Sequence, residues 1–174
     1  MNLQQEIKNL ITPELCASAE VYEDFLTRLE TGGLTKQEDP LSHFSTHFLP
    51  YNTETQEVFF VDHKKAQTWI APGGHIEAGE GLLETLNREI SEELGVKDFF
   101  KSNREPFFFT TKNINYNQTC KKHYDIWYLM PTDGKDFQID MSEFNGAKWM
   151  KISDAKKLVT DENNLMAIDR IAKN

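Results

Sequence analysis

Three glutamates, Glu89, Glu92 and Glu93, follow a stretch in which Gly73, Gly74, Gly79 and Gly81 recur. At about 100° per residue, positions i, i+3 and i+4 fall on one arc of a helix. Leu82, Leu83, Leu86, Ile90 and Leu94 line the adjoining side, and Gly95 supplies a stop. Such a helix can dock its apolar side on a sheet and hold three carboxylates at the edge of a cleft. On an exposed helix like charges at these spacings repel by about 0.2–0.5 kcal/mol per pair. Two readings accommodate that cost. The side chains can splay into water, with Arg88 reaching Glu92 and Glu84 four residues away, which makes the run a solvated face. Alternatively a hard divalent cation neutralises them, and Mg²⁺ or Mn²⁺ prefers such oxygen ligands. The glycines suit the second reading, because they let backbone approach a ligand closely or take φ > 0.

The complete spacing decides between the two. Gly74, Glu80, Arg88, Glu89, Ile90, Glu92, Glu93, Gly95 and Val96 fit G-x5-E-x7-R-E-U-x-E-E-x-G-U, with U aliphatic, at every specified position. Seven fixed residues at usages of roughly 5–10% each coincide by chance at about one start point in 10⁸. On these residues the chain resembles the Nudix hydrolases, whose box this pattern is. The resemblance implies an α+β fold, an α/β/α sandwich around a mixed sheet, over residues 41–174. It also implies metal-dependent hydrolysis of a diphosphate linkage in a small nucleotide, either a nucleoside triphosphate or a nucleoside diphosphate joined to another group.

Carried over by position, the resemblance makes Glu89, Glu92 and Glu93 ligands of Mg²⁺, with Mn²⁺ as a substitute and the Gly73 carbonyl as a further ligand. Glu80 and Arg88 would orient the acids through hydrogen bonds and an ion pair. Glu143, at the entry to an expected strand, stands where some family members carry a downstream metal-binding glutamate; it, Glu89 and Glu92 are the candidates for general base. Gly74 and His75 would meet the phosphates. Phe44 or Phe48 would stack on a base, since bases tolerate aromatic platforms. The segment before the box, DHKKAQTWIA, lacks the arginine of coenzyme A members, and residues 111–114 lack the proline or tyrosine of ADP-ribose and dinucleoside-polyphosphate members. A binding sensor without turnover is the rival reading, and the intact acid set argues against it.

Other polar groups carry weaker signals. His43 and His47 have the i, i+4 spacing of a zinc pair but lack an intervening glutamate and sit in a strand-like segment. Lys121, Lys122 and His123 begin another strand and read as a solvated end. Cys16 and Cys120 form no CxxC and read as reduced thiols.

The positioning elements follow from pattern. Leu3, Ile7, Leu10 and Ile11 recur at helical spacing, and Thr12-Pro13-Glu14 has the composition of a second helix start. Its stripe of Leu15, Ala19, Tyr22, Phe25, Leu26 and Leu29 ends at Gly32-Gly33. Residues 1–40 therefore form a helical extension that can pack on the main domain, cover a site or pair two subunits as a homodimer. Strands are expected at 42–49, 57–62, 67–71, 105–113, 122–130 and 145–150, and helices at 82–94, from Ser153 or Asp154, and from about Thr160 to Ala172.

Composition bounds the rest. The 174 residues are 39% hydrophobic and 27% charged, ordinary values for one globular domain. With 19 basic against 28 acidic residues, a net charge of -9 disfavours a nucleic-acid duplex as partner. No apolar run reaches the length of a membrane span. The N-terminus has no secretory layout, so a cytoplasmic location is expected and the Asn117-Gln118-Thr119 sequon is read as coincidence.

Overall fold

The computed structural model describes residues 2–114 and 120–173, so the sequon lies outside the described residues. The chain opens with α1 (Leu3–Leu10), capped by the Asn2 side chain, which accepts the Gln5 N–H. The expected helix start at Thr12 yields only a 3-10 turn, Pro13–Leu15. Residues 16 and 17 are drawn instead to a sheet edge, where Cys16 bridges Phe109 and the Ala17 N–H donates to the Phe109 carbonyl at 3.0 Å. The helix resumes as α2 (Ala19–Thr31), capped by Ser18. A cap in sequence cannot compete with a strand edge already offering hydrogen bonds.

Among the described residues, seven strands form one mixed sheet: β1 (Ser42–Asn52), β2 (Glu57–His63), β3 (Thr68–Ile70), β4 (Gly73–His75), β5 (Phe108–Asn113), β6 (Lys122–Pro131) and β7 (Phe144–Lys151). Their main order is β3-β2-β1-β6-β5, with β4 on β1 and β7 on β2. β1 is the organising strand. One of its edges pairs in parallel with β6 from Ser42↔Lys122 to Tyr51↔Pro131. Its other edge is divided, the first half pairing with β4 and the far end with β2. The helix α3 (Leu82–Leu94) follows β4, and α4 (Ile152–Leu158) and α5 (Glu162–Ile171) close the chain. α4 begins at Ile152, and Asp161 caps α5 by accepting the Asn164 N–H.

Alternation on the strands sorts the core into two layers. Phe44, Phe48, Tyr124, Ile126 and Tyr128 face Ile7, Phe25, Leu29, Leu86 and Ile90 of α1, α2 and α3. Leu49, Phe60, Phe108 and Trp127 face Ala155, Ala167 and Ile168 of α4 and α5. The N-terminal helices thus share the main core, and Phe25 meets Phe44, Phe109 and Tyr124 edge-on at 5.2–5.6 Å. Buried Arg28 fastens α2 across the 36–41 boundary: Nη2 donates to the Ser42 carbonyl at 2.6 Å and pairs with Asp39 at 3.2 Å. Among the described residues, no helix is long and apolar enough to cross a membrane.

Candidate active site

The box begins on a strand that glycine composition had concealed. β4 pairs with β1 at Thr46↔Gly74 and His47↔Gly73. Gly73 has φ +147°, and a Cβ there would stand 2.2 Å from the Thr46 carbonyl. At Gly74 a Cβ would stand 2.2 Å from Glu89 Oε1. The first glycine lets two strands close; the second leaves the space a carboxylate occupies.

From β4 the chain loops into α3, whose first turn is held by acids. The Glu84 carboxylate accepts the Gly81 N–H at 2.9 Å, and Glu6 of α1 accepts the Leu82 N–H at 3.2 Å. The N-terminal extension thereby caps the box helix, which negative charge at a helix N-terminus favours. Gly95, left-handed with φ 72°, ends it.

On α3 the three acids divide. Glu89 and Glu93 are buried, while the Glu92 side chain stays 60% exposed. Arg88 joins the exposed acid to the buried one. Its Nη1 donates to Glu89 Oε1 at 2.7 Å and to Glu92 Oε2 at 3.1 Å. The rest of the guanidinium forks onto Glu80, through Nε at 2.7 Å and Nη2 at 3.0 Å, and Nη2 also donates to the His75 carbonyl at 2.9 Å. Helical spacing offered Arg88 both Glu92 and Glu84; the structure keeps Glu92 and, in place of Glu84, the loop folds back to deliver Glu80, the partner the family resemblance implied. Thr85, which the sequence did not single out, donates its hydroxyl to Glu80 Oε2 at 2.9 Å. The Glu80 carboxyl lies below its usual range: burial works against it, but the Arg88 and Thr85 hydrogen bonds prevail.

Glu93 takes a different partner, accepting the Gly73 N–H at 2.7 Å. This bond ties the helix to the strand whose carbonyls edge the site. Burial, then the charge of Glu89, pushes the Glu93 carboxyl well above its ordinary value despite that bond. Burial likewise raises Glu89, against the pull of Arg88. Glu143, half-buried just before β7, adds to both shifts, so the fold does bring this distant acid to the box. Its backbone is fixed by Lys64, whose N–H donates to the Glu143 carbonyl at 3.0 Å. Two buried carboxylates, a third tethered beside them and a fourth felt across the site make an all-oxygen set with too little cationic charge. A hard divalent cation fits that set, because its charge offsets the burial, and secondarily the mutual repulsion, that raise Glu89 and Glu93.

The expected base platforms fall elsewhere. Phe44 and Phe48 are both fully buried, Phe44 stacked on Tyr124 at 5.1 Å, so neither offers a face to a ligand. They occupy the β1 positions that point under α2 and α3, and the other face of this strand is covered too, His43 and Ser45 being buried there. His43 and His47 separate as well: four residues along a strand span about 13 Å. His47 stacks on Trp127 and approaches the buried Asp125 at 3.5 Å, and Asp125 also accepts from Ser45 and Asn163. His75, expected at the phosphates, turns its ring toward His43 and His123, while its carbonyl serves Arg88. Lys122 is engaged by Asp24 of α2. Residues 111–113 end β5, next to His123 and Tyr124.

The chain is similar to proteins of known family and fold. A model of the NUDIX domain matches residues 42–167. The rat bis(5'-nucleosyl)-tetraphosphatase [asymmetrical] is 28% identical over 122 residues, covering 68% of this chain and 81% of the rat protein. A probable DHNTP pyrophosphohydrolase of Lactococcus lactis subsp. cremoris is 28% identical over 48% of this chain, and the match spans about half, 51%, of that relative. Among solved structures, the E. coli dihydroneopterin triphosphate pyrophosphohydrolase superposes with a TM-score of 0.60 at 19% identity, over 73% of this chain and 92% of its own. A MutT NUDIX hydrolase from Burkholderia pseudomallei gives a TM-score of 0.62 at 16% identity, over 75% and 98%.

Proposed function

Because the chain belongs to the Nudix family of hydrolases acting on phosphoanhydride bonds, we propose that it is a Mg²⁺-dependent pyrophosphohydrolase of a small nucleotide bearing three or more phosphates in a row. The observation that carries this reading is the single hydrogen-bonded unit in which Arg88 holds Glu80, Glu89 and Glu92 while Glu93 clasps Gly73. The relatives' names support the phosphate count, since one is a tetraphosphatase and the other acts on a triphosphate. An acidic protein needs a cation to receive such a chain.

Glu89, Glu92, Glu93 and the Gly73 carbonyl are the proposed ligands, with Mn²⁺ as an alternative ion. The ion would supply Lewis-acid neutralisation of the phosphates and a lowered pKa for a nearby water. The protein residues divide the remaining work. Arg88, itself held by Glu80, bridges Glu89 and Glu92 and keeps them aimed, so that little reorganisation is needed on binding. Glu93 fixes the register of β4 against α3. Glu143 is assigned the water's proton: Arg88 occupies oxygens of Glu89 and Glu92, whereas Glu143 has no ion pair among the described residues and its charge is felt by Glu89 and Glu93.

The test is a panel of nucleoside triphosphates, dinucleoside polyphosphates and nucleotide sugars, incubated with Mg²⁺ or with chelator while phosphate and pyrophosphate release is followed. Metal-dependent release from the polyphosphate members is the expected result. Tight binding without any release would replace the enzyme by a sensor. Glu143→Gln should remove the acid limb of the pH–rate profile while sparing KM; an unchanged profile returns the base to the box.

A further inference from the structure

On the face of β4 opposite the acids, four side chains converge that the hydrolytic machinery does not use. We propose that His43, His75, His123 and Cys120 form a closed tetrahedral site for one thiophilic divalent transition-metal ion, of which zinc is the representative, separate from the carboxylate cluster.

The geometry is that of a ligand shell. One ligand atom from each of the four residues lies within 4.8 Å of all the others. His75 Nε2 and His123 Nε2 are 3.3 Å apart, and His43 Nε2 is 3.9 Å from Cys120 Sγ. With metal–nitrogen bonds of about 2.0–2.1 Å and a metal–sulfur bond of about 2.3 Å, a tetrahedron has N···N edges of roughly 3.3 Å and N···S edges of roughly 3.6 Å. The first distance needs no adjustment and the second only a small one.

Backbone register sets these positions. His43 and His123 are cross-strand partners on β1 and β6, and His75 is placed by Ser45↔His75 on the other edge of β1. The Leu41 carbonyl accepts the Lys121 N–H at 2.8 Å, which brings Cys120 beside the start of β1. His43 and Cys120 are buried, at 0% and 3% exposure.

The outer partner also fits. His43 Nδ1 stands 2.9 Å from the Asp39 carbonyl, which can only accept, so Nδ1 carries the proton and Nε2 presents a lone pair to the cluster. At the His75–His123 contact at most one of two facing nitrogens can donate. Three imidazoles and a thiol are soft donors that select zinc-like ions over Mg²⁺. Binding converts the Cys120 thiol to a thiolate and releases one proton to solvent.

All four positions are filled by protein, so the site is structural. It would cross-link β1, β4 and β6 one residue beyond Gly74, on the strand whose His75 carbonyl anchors Arg88.

Cobalt(II) added to chelator-treated protein tests this directly. One equivalent should produce the intense visible absorption of tetrahedral cobalt with a thiolate-to-metal charge-transfer band in the near ultraviolet, and zinc should bleach both. Cys120→Ser should abolish the charge-transfer band and weaken zinc binding at least about 100-fold, since losing even an outer partner costs 10–100-fold. Cys16→Ser and the double variant Glu89→Gln/Glu93→Gln should leave the spectrum intact. His123→Ala should collapse the visible bands, and because Cys120→Ser is nearly isosteric its spectrum stands even if the histidine variant fails to fold. Weak octahedral bands unaffected by Cys120→Ser, or bands that vanish in the glutamate double variant, would overturn the proposal.

Discussion

Replacing Arg88 by glutamine removes the cation that, among the described residues, holds the acids of the box together. The wild-type side chain is 22% exposed, its partners Glu80 and Glu89 are 19% and 10% exposed, and Glu92 is 60% exposed. The Glu92 contact is therefore worth about 0.3–0.5 kcal/mol, as for other i, i+4 surface pairs. The fork onto Glu80 and the bond to Glu89 are different, because their loss leaves two partly buried carboxylates without a counter-charge. Deleting one partner of a buried pair costs about 3–5 kcal/mol. For a chain of this length, each kcal/mol lowers Tm by about 2–4 °C, so Arg88→Gln should melt about 6–20 °C below wild type. Thermal unfolding in chelator, followed by circular dichroism, measures this without a divalent cation to compensate. Arg88→Lys keeps the charge but loses the planar fork and should fall between the two. A glutamine variant within about 3 °C of wild type would mean that the network is solvated and holds nothing in place.

Other consequences are equally specific. Gly74→Ala puts a Cβ where Glu89 Oε1 lies 2.2 Å away, so kcat should fall about 100-fold by displacement of that carboxylate, with secondary structure retained on circular dichroism. Phe25→Ala should cost about 3–5 kcal/mol in denaturant unfolding, because its ring is fully buried between α2 and the sheet; a smaller loss would show that the N-terminal helices are not part of the core. Asp161 is pushed up by burial but held below its ordinary value by Lys112 and Asn164. Its stabilising contribution is thus present above the ordinary carboxylate range and disappears as pH falls through its lowered value. Asp161→Asn should be about 1 kcal/mol less stable than wild type at neutral pH and approach it in acid; a gap that does not narrow would refute the pairing.

The box helix was readable to the residue because its signals are local: Gly81 and Gly95 bound it, and the leucine stripe sets its face. What depends on pairing was not readable. β4 carries two glycines and no β-branched residue, and becomes a strand only because β1 and Glu93 supply its partners. Spacing alone offered Arg88 both Glu84 and Glu92, and only the family resemblance implied Glu80, which the loop's return delivers in place of Glu84. The strand 42–49 has aromatics and histidines at adjoining positions, so composition could not say that both of its faces are buried. The sheet puts Phe44 and Phe48 inside. His43 was weighed with His47, its neighbour in sequence, although its neighbours in space come from β4 and β6. Glu143 was legible only through family resemblance, and its proximity to the box depends on the loop between β6 and β7.

Turnover of Glu93→Gln across a range of Mg²⁺ concentrations bears most directly on the claim that these carboxylates seat a cation against a phosphoanhydride. The substitution keeps the side-chain shape and removes a charge that burial already opposes, so the fold survives it. Wild-type protein should be inactive in chelator and active with Mg²⁺, and the variant should remain at least about 100-fold slower at every concentration. Near-wild-type turnover by the folded variant would contradict the account.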